Sequence, residues 1–267
     1  MSSTSRRLGR IGHFRGLTPW IGIVYGFLYF PILVLIAYSF NGSRLALVWS
    51  EFSLRWYAKL LQNGDIRQAA ANTLIVATSS TVIATSIAIA AALALTRGGD
   101  YRGKSLDFGL LGLPIVVPEI VTAVATLMFL SSIGLSLGLG NLIVAHSTFC
   151  IPFAFLPIRA RLLAMDDTLE QAARDLYSSP WETFRYVTLP LLMPGVLAGA
   201  TLAFVISLDD FIISVMIADA GSTTLPVYIY SMIRQGISPE VNAVSTVLFA
   251  ISVGLVTLYS IASRARK

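Results

Sequence analysis

Residues 191–218 read LLMPGVLAGATLAFVISLDDFIISVMIA, twenty-eight positions whose charges are confined to Asp209 and Asp210. A strand is far shorter, and a run of about 20 apolar residues is what it takes to cross the ~30 Å hydrocarbon core of a bilayer. Five more runs share its character: 18–40, 69–95, 108–131, 139–158 and 241–263. Together the six hold 145 of the 267 residues and add one further charge, Glu119. Hydrophobic residues make up 55% of the chain and charged ones 12%, against about 25% charged in a soluble domain. The sequence therefore predicts an all-α integral membrane protein with six transmembrane helices over 18–263, flanked by short tails at 1–17 and 264–267.

The loops carry the charge, and its sign is uneven. Segments 1–17, 97–107, 159–190 and the C-terminal tail hold fourteen Lys and Arg, whereas 41–68, 132–138 and 219–240 hold five. The positive-inside rule places both termini in the cytoplasm. Arg6, Arg7, Arg10 and Arg15 precede the first run and Ala37-Tyr38-Ser39 ends it, as in a cleavable signal. Its 23 residues exceed the about 7–15 of a signal core, so a retained span is expected. In the 41–68 loop, Phe52, Trp56 and Leu60 recur every four residues, and Glu51, Arg55 and Lys59 do so on another face. That spacing predicts an amphipathic helix on the outer surface, with Glu51 and Arg55 paired. The net charge of +5 is spread beside helix ends and marks no nucleic-acid face. A single cysteine, Cys150, excludes an internal disulfide.

Gly98-Gly-Asp-Tyr-Arg-Gly103-Lys104-Ser105 fits the phosphate-loop pattern G-x-x-x-x-G-K-[ST]. That chemistry needs a strand before the loop and a soluble α/β domain around it. Here an Ala-rich membrane span precedes the loop and another follows, so a short basic cytoplasmic turn is expected.

The long inner segment 159–190 holds two helix starts. Thr168-Leu-Glu-Gln171 reads as a capping box, and Ser179-Pro180-Trp181-Glu182 as a second with Pro at the first helical position. Leu169, Ala172, Ala173 and Leu176 make an apolar face on the first short helix, and Trp181 and Phe184 one on the second. Such a face either packs back on the span ends or docks into another protein.

Gln171-Ala172-Ala173, Tyr177, Val187 and Leu189-Pro190 stand at the spacing of the EAA loop, E-A-A-x₃-G-x₉-I-x-L-P. In this the chain resembles the permease subunits of binding-protein-dependent ABC importers. Gln171 replaces Glu, with Glu170 beside it, Tyr177 replaces Gly, and Val187 replaces Ile. A helix-ending Gly takes φ > 0, which Tyr adopts at a cost. The resemblance implies a type I importer permease-like fold whose coupling helices sit in a cleft of an ATPase subunit. Glu170, Gln171, Ala172, Ala173, Leu176, Tyr177, Trp181, Leu189 and Pro190 would form the coupling surface.

Ser207-Leu208-Asp209-Asp210, Leu225-Pro226, Ile229-Tyr230-Ser231-Met232 and Gly236-Ile237-Ser238-Pro239-Glu240 extend the likeness to the second membrane subunit of spermidine/putrescine-type permeases. Trp49, Pro118-Glu119 and His146-Ser-Thr-Phe149-Cys150 also match. The resemblance implies a polyamine path lined by Trp49, Glu119, Ser207, Asp209 and Asp210. It further implies a second homologous permease subunit, two copies of a cytoplasmic ATPase holding ATP and Mg, a periplasmic binding protein and a bacterial inner-membrane location. This chain would bind no cofactor of its own.

The three acids stand out without any family. Burying one in a span costs roughly 2.5–3.5 kcal/mol on insertion scales, and no Lys or Arg lies inside a span to offset it. On straight helices rising about 1.5 Å per residue, Glu119 lies about 16 Å and Asp209 about 27 Å from the cytoplasmic start of their spans, as successive waypoints for a cation. Pro114 and Pro118 predict a kink or break before Glu119. On the fifth span Gly195, Gly199, Ala203, Ile206 and Asp210 share a face expected to point into the bundle. His146 and Cys150 share a face too, yet fall short of a four-ligand zinc site. No nucleophile, base and oxyanion set is present, so the chain is not expected to be an enzyme. The alternatives are a self-contained proton- or sodium-coupled secondary transporter working through Asp209 and Asp210, or an ABC permease for a different small solute.

Overall fold

The computed structural model describes residues 17–43, 48–134, 138–236 and 238–264. The four N-terminal arginines, Arg44, Ile237 and the tail beyond 264 lie outside the described residues. The chain folds as helices α1 (Leu17–Ser39), α2 (Arg55–Gln62), α3 (Gly64–Arg97), α4 (Lys104–Val116), α5 (Glu119–Ser132) and α6 (Leu139–Leu163). Then follow α7 (Thr168–Asp175), α8 (Pro180–Thr183), α9 (Leu189–Asp209), α10 (Ile212–Ile217), α11 (Leu225–Gln235) and α12 (Pro239–Arg264). Among the described residues, extended pairing is confined to one antiparallel bridge between Asn41 and Phe52.

Among the described residues, five helices are long and apolar enough to cross a bilayer, and a sixth span exists if α4 and α5 are counted as one crossing. They meet at 109°. Pro118 explains the break: it supplies no N–H to the ladder and forces the preceding residue out of the helical region, and Val117 is extended at ψ 134°.

The centre is a three-helix stack of α3, α6 and α9. Ala84, Ala88, Ala92, Ala154 and Ala203 let the backbones close in on Phe155, Ile158, Leu162 and Leu192, all buried. Without a water-driven hydrophobic term inside lipid, such close packing of small residues is what holds spans together. Gly199 shows how tight it is, since a Cβ there would stand 2.5 Å from the Ala154 carbonyl oxygen. Of the face expected to point into the bundle, Gly195, Gly199, Ala203 and Asp210 are buried and Ile206 is half-buried. At the other end of the stack, Val76, Ala123, Leu142, Phe149, Ile213 and Ile217 seat α5 and α10 against α3 and α6. Helix α1 stands at the periphery, packed along α12.

Two local expectations are corrected. The amphipathic helix starts at Arg55 rather than Glu51, so the Glu51–Arg55 pair does not form on it. Arg55 instead lies over the Trp56 ring at 4.5 Å, Lys59 pairs with Glu240 at 2.5 Å, and Trp56 and Leu60 bury themselves against α3, α11 and α12. The first capping box is also absent. Helix α7 begins at Thr168 itself, whose N–H goes to the Asp166 carboxylate at 3.0 Å, while Gln171 Nε2 donates to Asp167 at 3.2 Å. The second box forms: Ser179 Oγ accepts from the Glu182 N–H at 3.3 Å, and Glu182 Oε2 accepts from the Ser179 N–H at 2.8 Å. From Pro180 the chain continues through a π-turn at Phe184–Thr188 into α9, one uninterrupted helix to Asp209. The helix thus runs without a break through position 190, where the sequence places the change from loop to span.

Candidate functional site

The fifth span breaks at its acids. Asp210 leaves the helical region with ψ 127°, and its Oδ1 accepts the N–H of Ser214 at 2.9 Å. A short acidic side chain that satisfies free amides at a helix start is a common reason for a helix to restart. Glu119 sits at the other break, as the first residue of α5. The two breaks bring the carboxyl groups of Glu119 and Asp210 within hydrogen-bonding reach of each other. Depths read from straight helices set Glu119 and the acids of the fifth span about 11 Å apart, a spacing that the 109° bend removes.

His146 of α6 completes the cluster and was not read as part of it from sequence. Its Nδ1 lies 2.8 Å from Ser207 Oγ and its Nε2 3.1 Å from Ser214 Oγ. Nε2 is also 3.5 Å from Asp210 Oδ1, and Ser80 of α3 reaches Ser207 at 3.0 Å. The signal was available, because a histidine in a span is itself costly to bury unless other groups satisfy it. Cys150 turns elsewhere, with its thiol donating to the Ala203 carbonyl at 3.5 Å.

The remaining path candidates separate. Ser207 lies in the cluster, buried. Asp209, one residue from Asp210 and about 100° away around the helix, is exposed and borders a groove of about 470 Å³ shared with Ser245, Phe249 and Ser252 of α12. Trp49 lies in the loop after α1, 48% exposed and edge-on to Tyr38 at 6.0 Å. The structure brings Glu119, Ser207 and Asp210 together. It leaves Asp209 on an adjoining face and Trp49 in a separate aromatic contact.

A second candidate surface is the hairpin of α7 and α8. Leu176 is 83% exposed, Tyr177 97% and Trp181 64%; Gln171, Ala172 and Pro190 are also exposed, and Ala173 and Leu189 half-buried. Tyr177 has φ +62°. Its N–H bonds the Arg174 carbonyl at 2.9 Å and that of Ser178 the Ala173 carbonyl at 3.2 Å, the paired bonds of a Schellman turn. Glu170 behaves differently from its neighbours. It turns inward, 3.1 Å from Arg97 Nε at the end of α3, and accepts from Thr188 Oγ1 at 2.9 Å. The Ser179 hydroxyl, and then its N–H, hold the Glu182 carboxyl below its usual range. The phosphate-loop lookalike is a turn between α3 and α4, with Lys104 Nζ bound to Gly99 O at 2.8 Å and Asp100 at 3.1 Å.

Helices of spanning length around a small-residue core, broken at acidic residues and carrying an exposed apolar hairpin, define a membrane permease subunit. Residues 101–266 match the family described as the inner membrane component of binding-protein-dependent transport systems, and the chain belongs to that family. It is 38% identical to the spermidine/putrescine transport system permease protein PotC of Escherichia coli (strain K12), over 90% of this chain and 91% of that one. It is 35% identical to the putrescine transport system permease protein PotI of the same strain, over 90% and 88%. Among solved structures, a chain of a bacterial ABC transporter that imports the acidic polysaccharide alginate shares the fold, with a TM-score of 0.72 and 16% identity over 96% of this chain and 98% of that one. The expected fold of an ABC importer permease is therefore present.

Proposed function

We propose that this chain is a translocating membrane subunit of an ATP-driven importer of polyamines or similar organic cations. The carrying observation is the pair Glu119–Asp210, two carboxyl groups brought together by two helix breaks, in a chain whose six long apolar runs hold no Lys or Arg. Such a pair repels anions and has no use for a neutral sugar, whereas an ammonium group offers N–H donors to both. Likeness to relatives named for spermidine and putrescine supports the same choice, and family membership disfavours a self-contained secondary transporter.

In this reading a periplasmic binding protein delivers the cation, and a second permease subunit closes the path. Two ATPase copies supply the ATP and Mg chemistry and dock on Leu176, Tyr177 and Trp181. Both termini lie in the cytoplasm. Asp209 and Trp49 act as outlying attractive positions, Trp49 through cation–π contact of roughly 0.5–2 kcal/mol.

The test is uptake of radiolabelled spermidine and putrescine into vesicles holding the whole complex. Asp210→Asn and Glu119→Gln are expected to lower uptake at least tenfold and Asp209→Asn less, with capture by the binding protein unchanged. Parent-like uptake in all three overturns the cation path. Leu176→Asp or Trp181→Asp, placing charge on the exposed apolar face, is expected to uncouple ATP hydrolysis from uptake without stopping insertion. Normal coupled uptake in both removes the docking role.

A further inference from the structure

Hydrogen-bond donors can be counted through the buried cluster. Ser80 Oγ lies 2.6 Å from the Val76 carbonyl oxygen, which has no hydrogen to give, so the one Ser80 hydroxyl proton points there. The 3.0 Å contact between Ser80 and Ser207 is then donated by Ser207, and the hydrogen between His146 and Ser207 belongs to Nδ1. Nε2 is left as the exchangeable position of the ring, facing the Ser214 hydroxyl and Asp210 Oδ1.

Asp210 is equally constrained. Its Oδ1 takes the Ser214 amide. Its Oδ2 is buried, and among the described residues no fixed N–H or O–H donor reaches it, although the Glu119 carboxyl stands within reach. Two carboxylates that close cannot both be ionised without a compensating positive charge, and the usual solution is a shared proton. We propose that Glu119, Asp210 and His146 hold one exchangeable proton in the empty permease, and that an ammonium group of the permeating cation displaces it.

The proton lies between the two carboxyl groups, and His146 Nε2 borders it, 3.5 Å from Asp210 Oδ1 and 3.1 Å from Ser214 Oγ. An arriving R–NH₃⁺ donates to both carboxylates, and one H⁺ leaves to water past Glu119, which is half-buried where Asp210 is not exposed. The charge of the site is the same before and after, so no unpaired carboxylate is left in the bundle. Other groups around the cluster are Asp209 on α9, Cys150 on α6 and Tyr230 of α11, whose ring packs on Phe211 at 4.8 Å. Helices α3 and α10 present hydroxyls. The inference rests on the cation reading above and adds the proton to it.

Two measurements on the assembled importer test it, with the parent binding protein used throughout so that its own pH response cancels. Between about pH 5 and pH 8, the apparent KM of the parent for spermidine is expected to rise about tenfold per unit on the acid side, the slope of one competing proton, with kcat unchanged. Glu119→Gln is expected to flatten that slope. A parent KM that does not change with pH, or an equal slope in parent and variant, overturns the exchange. In infrared difference spectra, adding spermidine is expected to remove a carboxylic-acid C=O band from the parent, a band missing from Glu119→Gln and Asp210→Asn alike. This readout holds even where a variant does not transport, and a parent without the band has no shared proton. A complex that accepts no polyamine at any pH while carrying another solute would overturn the cation reading and the exchange with it. Polyamine uptake with no band and no slope would overturn the exchange alone.

Discussion

Tyr177 is the residue where local cost is plainest. Its φ of +62° lies in the left-handed region, which costs a residue with a Cβ about 1–2 kcal/mol. At 97% exposure its ring recovers little of that by packing. Tyr177→Gly is therefore expected to raise the stability of the hairpin by about 1 kcal/mol, read as slower amide exchange at Ser178 and a higher unfolding temperature; no change or a loss would mean that the ring contributes to the fold. Glu182 offers a second check. Its carboxyl is held below the usual range by Ser179, so the stabilisation is present above the unfolded carboxylate range and is lost as pH falls through the depressed folded value. The protection factor of the Glu182 amide, its exchange rate relative to the unprotected rate at the same pH, is expected to fall in acid in the parent. In Ser179→Ala it should be low already at neutral pH.

At the scale of elements, the contact of α9 with α6 depends on Gly199, where a methyl group would meet the Ala154 carbonyl. Backbone cannot step aside as a flexible side chain can, so Gly199→Ala is expected to cost about 1–3 kcal/mol through overpacking. A lower unfolding temperature of the purified complex and faster proteolysis would show it. The break between α4 and α5 is expected to matter for function rather than stability. Pro118→Ala returns the missing N–H and frees Val117 to be helical, which would swing Glu119 away from Asp210. Uptake is expected to fall at least tenfold with membrane insertion intact.

For the whole molecule, the uneven placement of Lys and Arg sets the orientation to be tested. Cysteines introduced at Ser132 and Ala220 are expected to react with impermeant reagent added from outside, and reaction only from inside would invert the topology. The buried Cys150 does not interfere. Lys104→Ala is expected to leave the ATPase activity of the assembled complex largely intact, because its ammonium group is occupied by its own turn. A loss as large as removal of the ATPase would reinstate the phosphate loop.

Membrane class, approximate spans, the family and the turn strained at Tyr177 were all legible in the chain. Each depends on composition, on spacing within one segment, or on a motif read along the backbone. The small-residue face of α9 was legible for the same reason, since a helix period converts sequence spacing into a side. Only the tertiary structure decided that Glu119 and Asp210 meet, that His146 is their neighbour, and that Glu170 turns away from the exposed face of the hairpin to Arg97. Those pairs lie 91, 64 and 73 positions apart in the chain, and two of the three acids sit at helix breaks where a fixed rise per residue no longer maps sequence onto depth. Distances across such breaks are set by which helices pack together, a property of the folded bundle that no single segment contains.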